Sequence, residues 1–143
     1  MKNKYSDELR IAFATSNGDE LDEHFGNCQQ LAIYHLTPTS NEHVNTVKFQ
    51  IYEQHNQQKI NERLMVLKNC FAVYCLACGN PVRRQLLAQN TRVVIHPHNI
   101  LIQQLITKIQ SRWPGAIAAR QTKQRNRKKE NNYFTQLAES EWE

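Results

Sequence analysis

No stretch of the 143 residues approaches the roughly 20 consecutive apolar positions that a membrane-spanning helix needs. The opening residues, Met1 to Arg10, are polar and mixed in charge, without the apolar run of a secretory signal. A cytosolic protein without membrane association is expected. Cysteine is scarce as well: four irregularly spaced residues are too few for a disulfide-stapled mini-domain, and in a reducing compartment they read as core thiols, metal ligands or redox groups. The chain also lacks a phosphate-binding P-loop, a nucleophile accompanied by its base and orienting partner, and any internal repeat. Catalysis is therefore not indicated.

What is present suffices for one core. A chain of this length with 40% hydrophobic residues can bury a single complete domain but not two. Net charge is +5, yet Arg120, Lys123, Arg125, Arg127, Lys128 and Lys129 carry six positive charges with no acid among them, which leaves about −1 for the rest. Residues 1–115 are expected to form an α/β domain. Residues 116–143 read as a weakly ordered extension, basic at first and acidic at Glu139, Glu141 and Glu143. The basic run lacks interleaved aromatics and a recognition-helix pattern, so nucleic-acid binding ranks below a solvated tail or a docking arm.

The apolar run at residues 9–15, closed by Ser16-Asn17-Gly18, predicts a central strand, and residues 31–36 a second. Residues 44–52 alternate Val47, Phe49 and Ile51 against Lys48, Gln50 and Tyr52, predicting a third strand with one wet face. Ile60, Leu64 and Leu67 then recur at helical spacing, with Met65 widening the apolar face. Residues 70–76 read as a buried strand, leading into a helix with Asn80 as N-cap, Pro81 first, and Val82, Leu86 and Leu87 along it to about Asn90. A strand at 91–96 and a helix at 100–112, with Leu101, Leu105, Ile106 and Ile109 on one side, complete the order βββαβαβα. Such alternation predicts a mixed five-stranded sheet flanked by helices, with parallel pairing in its second half. Ligands gather at the carboxyl ends of parallel strands. Here those ends would bring together the loop at 16–26, residues 75–79 and His96-Pro97-His98.

Cys75 and Cys78 sit at a helix entrance with two residues between them, a spacing that allows one metal or each other as partner and a setting that lowers thiol pKa. Structural zinc would want a second pair, which is absent. A thioredoxin-like redox pair would want a preceding aromatic and an intervening proline. Two buried hydrophobic thiols are the bland alternative, and the pair alone does not decide. His24 precedes Phe25-Gly26, where glycine permits close approach by a ligand, although a lone loop histidine is commonly a surface residue. Cys28 reads as packing, and His96 and His98 as solvated turn residues. Arg83 and Arg84 lie in the first turn of the helix after the cysteines, unfavourable for its dipole and favourable for an anion.

The segments Ile11-Ala12-Phe13-Ala14-Thr15-Ser16, Leu21-Asp22-Glu23-His24-Phe25-Gly26 and Cys70-Phe71-Ala72-Val73-Tyr74-Cys75-Leu76-Ala77-Cys78-Gly79 resemble the NifX/NafY family of nitrogenase cofactor-biosynthesis proteins. Val82-Arg83-Arg84-Gln85-Leu86-Leu87 and the ending Leu137-Ala138-Glu139-Ser140-Glu141-Trp142-Glu143 extend the resemblance over nearly the whole chain. It implies a ribonuclease-H-like domain and a non-catalytic carrier of NifB-co, the iron-sulfur precursor of the iron-molybdenum cofactor. Its implied partners are the cofactor synthase, the scaffold complex and apo-dinitrogenase. His24 corresponds to the family's cluster ligand, and Cys75 and Cys78 match its cysteine-rich strand end. Thiolate and imidazole suit iron, and Arg83 and Arg84 would balance an anionic cluster. Two alternatives stand beside the carrier: a chaperone-like module docking on apo-dinitrogenase or scaffold, and a thiol-disulfide enzyme using Cys75 and Cys78.

Overall fold

The apolar run Leu9–Thr15 becomes the central strand β1, buried at six of its seven positions because both faces of the sheet are covered. The computed structural model describes residues 8–50 and 57–113. After β1 come the two-residue β2 (Glu20–Leu21), a 3-10 turn at Phe25–Asn27, β3 (Gln30–Leu36) and β4 (Asn41–Lys48). The second half runs α1 (Gln57–Val66), β5 (Ala72–Cys75), α2 (Asn80–Ala88), β6 (Arg92–Ile95), β7 (Ile100–Leu101) and α3 (Ile102–Ser111). Five strands form one sheet in the order β4-β3-β1-β5-β6. The meander β1-β3-β4 is antiparallel, whereas β1, β5 and β6 are mutually parallel.

Side-chain alternation splits the core into two layers. Leu9, Ile11 and Phe13 of β1 join Tyr34, Tyr74, Val94 and the α3 residues Ile102, Leu105 and Ile106, with Trp113 beyond the helix. Phe13 anchors this layer, stacked on Tyr74 at 5.5 Å and edge-on to Tyr34 at 5.7 Å. On the other face Ala12 and Ala14 meet Phe25, Cys28, Leu31, Ile33, Val73, Cys75 and Leu86. No helix among the described residues is long and apolar enough to cross a membrane.

Several sequence expectations shift. The third strand starts and ends earlier than residues 44–52, and as an edge strand it buries no residue fully; Ile51 and Tyr52 lie outside the described residues, as does the extension at 116–143. Residues 20–21 and 100–101 pair as a second, two-stranded sheet that no periodicity could announce. Ile100 and Leu101 therefore precede the last helix, and Leu101 is exposed. Gly79, not Asn80, is the N-cap of α2, and Leu87 is exposed.

The face of α1 is the main surprise. Met65 is 63% exposed, whereas Lys59 and Arg63 are buried together with Ile60. The polar groups beneath the helix account for this. Arg63 donates from Nη1 to the Lys59 carbonyl (2.9 Å) and from Nη2 to the Cys28 carbonyl (2.6 Å), and its guanidinium lies 4.2 Å from the centre of the Phe49 ring. Lys59 Nζ donates to Asn27 Oδ1 at 2.6 Å. These cations satisfy acceptors that an apolar side chain would leave stranded, while their stems pack as hydrocarbon. Arg63→Ala is expected to lower the unfolding free energy by about 2–4 kcal/mol, and Met65→Ser to change it by no more than about 0.5 kcal/mol. Urea denaturation checks this; equal effects would refute the assignment of the buried face.

Candidate functional site

The carboxyl ends of β1, β5 and β6 lie at one end of the sheet, and backbone hydrogen bonds sew the loops leaving them together. After β1, Asp22 closes the first loop by accepting from Ser16 N (2.8 Å) and Ser16 Oγ (2.6 Å), and Gly18 supplies the left-handed residue at φ +86. β2 pairs with β7, and Ile102 N donates to Asp19 O at 2.8 Å, joining this loop to the one that follows β6. Next, Leu76 N donates to Glu23 O at 2.9 Å and Phe25 N to Ala77 O at 2.8 Å, while His96 N donates to Cys75 O at 2.9 Å.

His24 is thus held between the two residues that bond to the loop after β5. Its backbone is extended (φ −76, ψ 145) as the lead-in to the 3-10 turn, and it is exposed. Phe25 and Cys28 on either side of that turn are fully buried, which fixes the loop to the core. Glu23 Oε1 accepts from Gln29 N at 2.8 Å, closing the loop across its base. Neither backbone conformation nor packing demands glycine at position 26: a β-carbon there would meet nothing within 4 Å. The absent side chain leaves open space beside His24.

Of the two spaced cysteines, Cys75 is fully buried and Cys78 half-buried. The expectation that the helix start lowers their pKa is corrected by the structure. Burial pushes the Cys78 thiol up to about 11 despite the Arg83 guanidinium, and holds the Cys75 thiol far above the ordinary range, with the neighbouring Cys78 and Cys28 sulfurs adding to the effect. Cys28 and Cys70 are likewise raised by burial to about 11. Arg83 acts on both Cys75 and Cys78, and Arg84 is exposed on the same helix. His96, expected in solvent, is instead 1% exposed. Its Nδ1 donates to the His98 carbonyl at 2.6 Å, and burial holds its pKa below the usual value.

The arrangement joins the loop that carries the exposed His24 to the loop between the buried Cys75 and the half-buried Cys78, with Arg83 acting on both sulfurs. It does not make a closed cage: among the described residues no three His, Cys, Asp or Glu side chains gather as a single metal ion would require. Sequence reasoning missed Lys59 and Arg63, whose bonds to Asn27 and Cys28 support the His24 loop from below. Their only sequence signal is an i, i+4 spacing flanking Ile60.

Residues 7–112 match the family model for dinitrogenase iron-molybdenum cofactor proteins. The chain is 32% identical to protein NifX of Azotobacter vinelandii, over 94% of this chain and 87% of that one, and 31% identical to protein NifX of Klebsiella pneumoniae, over 96% and 88%. The chain belongs to the NifX family. The NifX likeness extends more weakly to protein NifY of Azotobacter vinelandii, at 27% identity over 66% of this chain and 37% of that one. The fold resembles the crystal structure of PH0822, with a TM-score of 0.59 at 15% identity over 72% and 89% of the two chains. It also resembles a candidate dinitrogenase from Methanocaldococcus jannaschii, with a TM-score of 0.54 at 9% identity over 73% and 89%. Membership of the NifX family supports a role in the biosynthesis of the iron-molybdenum cofactor.

The raised thiols make alkaline stability a test of this geometry. The folded chain retains protons that the unfolded chain releases near pH 9, so the stabilisation is complete below pH 9 and is lost as pH rises towards and past 11. Each fully buried thiol contributes a slope of up to about 1.4 kcal/mol per pH unit. Cys75→Ala should flatten the decline between pH 9 and 10.5 by about one such increment. Parallel urea titrations at several pH values check it, and identical slopes for parent and variant would contradict the burial.

Proposed function

We propose that this protein is a non-catalytic, cytoplasmic carrier that receives NifB-co, the iron-sulfur precursor of the iron-molybdenum cofactor, from its synthase and hands it to the scaffold complex. The observation that supports the reading is the pair of backbone hydrogen bonds between residues 23–25 and 76–77, which joins the loop carrying His24 to the loop between Cys75 and Cys78. An imidazole and a half-buried thiol are suitable donors to iron. In this reading His24 ligates the cargo, Cys78 and then Cys75 offer additional or transient ligation, and Arg83 with Arg84 balances its negative charge.

An open rim fits a carrier better than a cage. A cluster presents several irons, so separated donors can each reach one, and the face they leave uncovered is where the next protein takes hold. The raised Cys78 thiol adds reversibility, because each ligation event must expel a proton. The same property argues against a thiol-disulfide enzyme, whose attacking cysteine needs a lowered pKa. The reading takes residues 1–115 as the carrier domain and 116–143 as a basic extension. It takes the sheet as ribonuclease-H-like, supported by an antiparallel β3 beside a β1 that leads two parallel strands.

Anaerobic titration with the precursor cluster, followed by absorbance and iron analysis, tests the assignment. His24→Ala and Cys78→Ser should each weaken binding by about 10–100-fold, the range typical of perturbed metal sites. Parent affinity should rise by up to about tenfold per pH unit between pH 7 and 9, and Cys78→Ser should flatten that rise. If His24→Ala, Cys75→Ser and Cys78→Ser combined bind as tightly as the parent, the site is elsewhere.

A further inference from the structure

A cavity opens at the other end of the sheet from the His24 loop. It has a volume of about 990 Å³ and lies where the amino ends of β1 and β5 meet the turns that follow α1 and α2. β1 spans seven residues, or about 20 Å at the usual strand rise, so a molecule here would not touch the His24 rim. Its walls mix Leu9 and Phe71 with Arg10, His35 and Lys68.

The cavity is built on a fixed base. Thr91, fully buried, donates from Oγ1 to the Leu67 carbonyl at 3.0 Å, and Gln89 Nε2 donates to the Leu64 carbonyl at 3.0 Å. Phe71 N donates to Arg10 O at 2.8 Å and Arg92 N to Phe71 O at 2.9 Å, which locks the Phe71 segment between strands. Among the charged side chains of the walls, the cations Arg10 and Lys68 outnumber the acid Glu8. Arg10 is the one exposed position of β1, Lys68 is exposed nearby, and the Arg92 guanidinium lies 4.8 Å from the Phe71 ring centre. The acid on the rim, Glu8, lies 3.4 Å from His35 Nε2, where an imidazolium would pair with it.

We propose that this cavity binds a small molecule carrying phosphate or carboxylate groups on an apolar body. Arg10 and Lys68 hold the anionic groups by charge-assisted hydrogen bonds, and Leu9 and Phe71 receive the apolar part. The size lies at the upper end of the range of small-molecule sites, and the wall is more polar than most of them, which suits a ligand whose charged groups make the main contacts. The inference is independent of the cluster-carrier reading, because it uses none of that rim's residues.

Cys70 provides an internal reporter. Burial raises its thiol to about 11, and the Arg10 guanidinium, hydrogen-bonded to the sulfur, pulls it partly back. An anion that engages Arg10 weakens that pull, leaving less thiolate and slower alkylation. The test uses the full chain with phenyl phosphate, inorganic phosphate and citrate as probes, against sodium chloride at matched ionic strength. Amide NMR shifts at residues 8–10, 35, 68–71 and 89–90 are followed together with the rate of Cys70 alkylation, read by peptide mass spectrometry.

Saturable shifts confined to those residues are expected, with phenyl phosphate or citrate binding more tightly than inorganic phosphate. The phenyl phosphate and citrate arms distinguish a phosphate ligand from a carboxylate one. Arg10→Gln and Lys68→Gln should each weaken the tighter probe by about tenfold, as loss of a charge-assisted hydrogen bond does. The probe should slow Cys70 alkylation in the parent but not in Arg10→Gln. Linear shifts matched by sodium chloride, shifts centred on residues 22–28 and 75–79, or Cys70 alkylation unaffected by a saturating probe would each overturn the proposal.

Discussion

Two backbone hydrogen bonds, Leu76 N to Glu23 O and Phe25 N to Ala77 O, hold together the loops at the carboxyl ends of β1 and β5. They join the loop that leaves the antiparallel half of the sheet to the loop that leaves its parallel half. Neither loop has a helix or strand of useful length to stiffen it locally. The bonds follow from the sheet itself: β1 and β5 are adjacent and parallel, so the segments just beyond them start side by side. Phe25 and Cys28 then act as plugs in the layer shared with Cys75 and Leu86, and Lys59 and Arg63 bind the turn between them from α1. His24 is exposed in a stretch whose neighbours are fixed by burial and hydrogen bonding, which is how a short loop can present a side chain in a defined place.

Electrostatics at the rim are decided by desolvation. A helix start favours a thiolate by about 0.3–1 kcal/mol at exposed sites, and Arg83 acts in the same direction on both sulfurs. Burial outweighs both, so the thiols stay protonated at neutral pH. Protonated thiols are poor nucleophiles and poor ligands until a metal displaces the proton. Such thiols are poorly suited to rapid thiol exchange, and under the carrier reading proposed above they would hold a cargo reversibly.

The sequence carries much of this arrangement openly. The apolar run at 9–15 and the short runs before Pro81 and His96 mark the parallel strands, and that parallelism alone predicts which loops converge. What stayed hidden has physical causes. β2 and β7 are two residues each, too short for a period, and exist because the loops around them are already brought together. In α1, apolar spacing pointed to Leu64 and Met65, but the helix lies over carbonyls of the 25–28 turn and buries the residues able to donate to them, Lys59 and Arg63. His96 looked like a turn histidine because its partner is a backbone carbonyl, that of His98, which leaves no mark in the sequence. The thiol environment was misjudged for a similar reason: Cys28 lies far from Cys75 in the chain, yet both occupy one core layer.

A double-mutant cycle between His24 and Cys78, read as anaerobic cluster affinity, tests the joint rim most directly. If the two side chains act on one cargo, His24→Ala and Cys78→Ser should be non-additive by more than about 0.5 kcal/mol, the limit seen for independent sites. Effects that add within that limit would mean that the two residues do not share a ligand and would contradict the account.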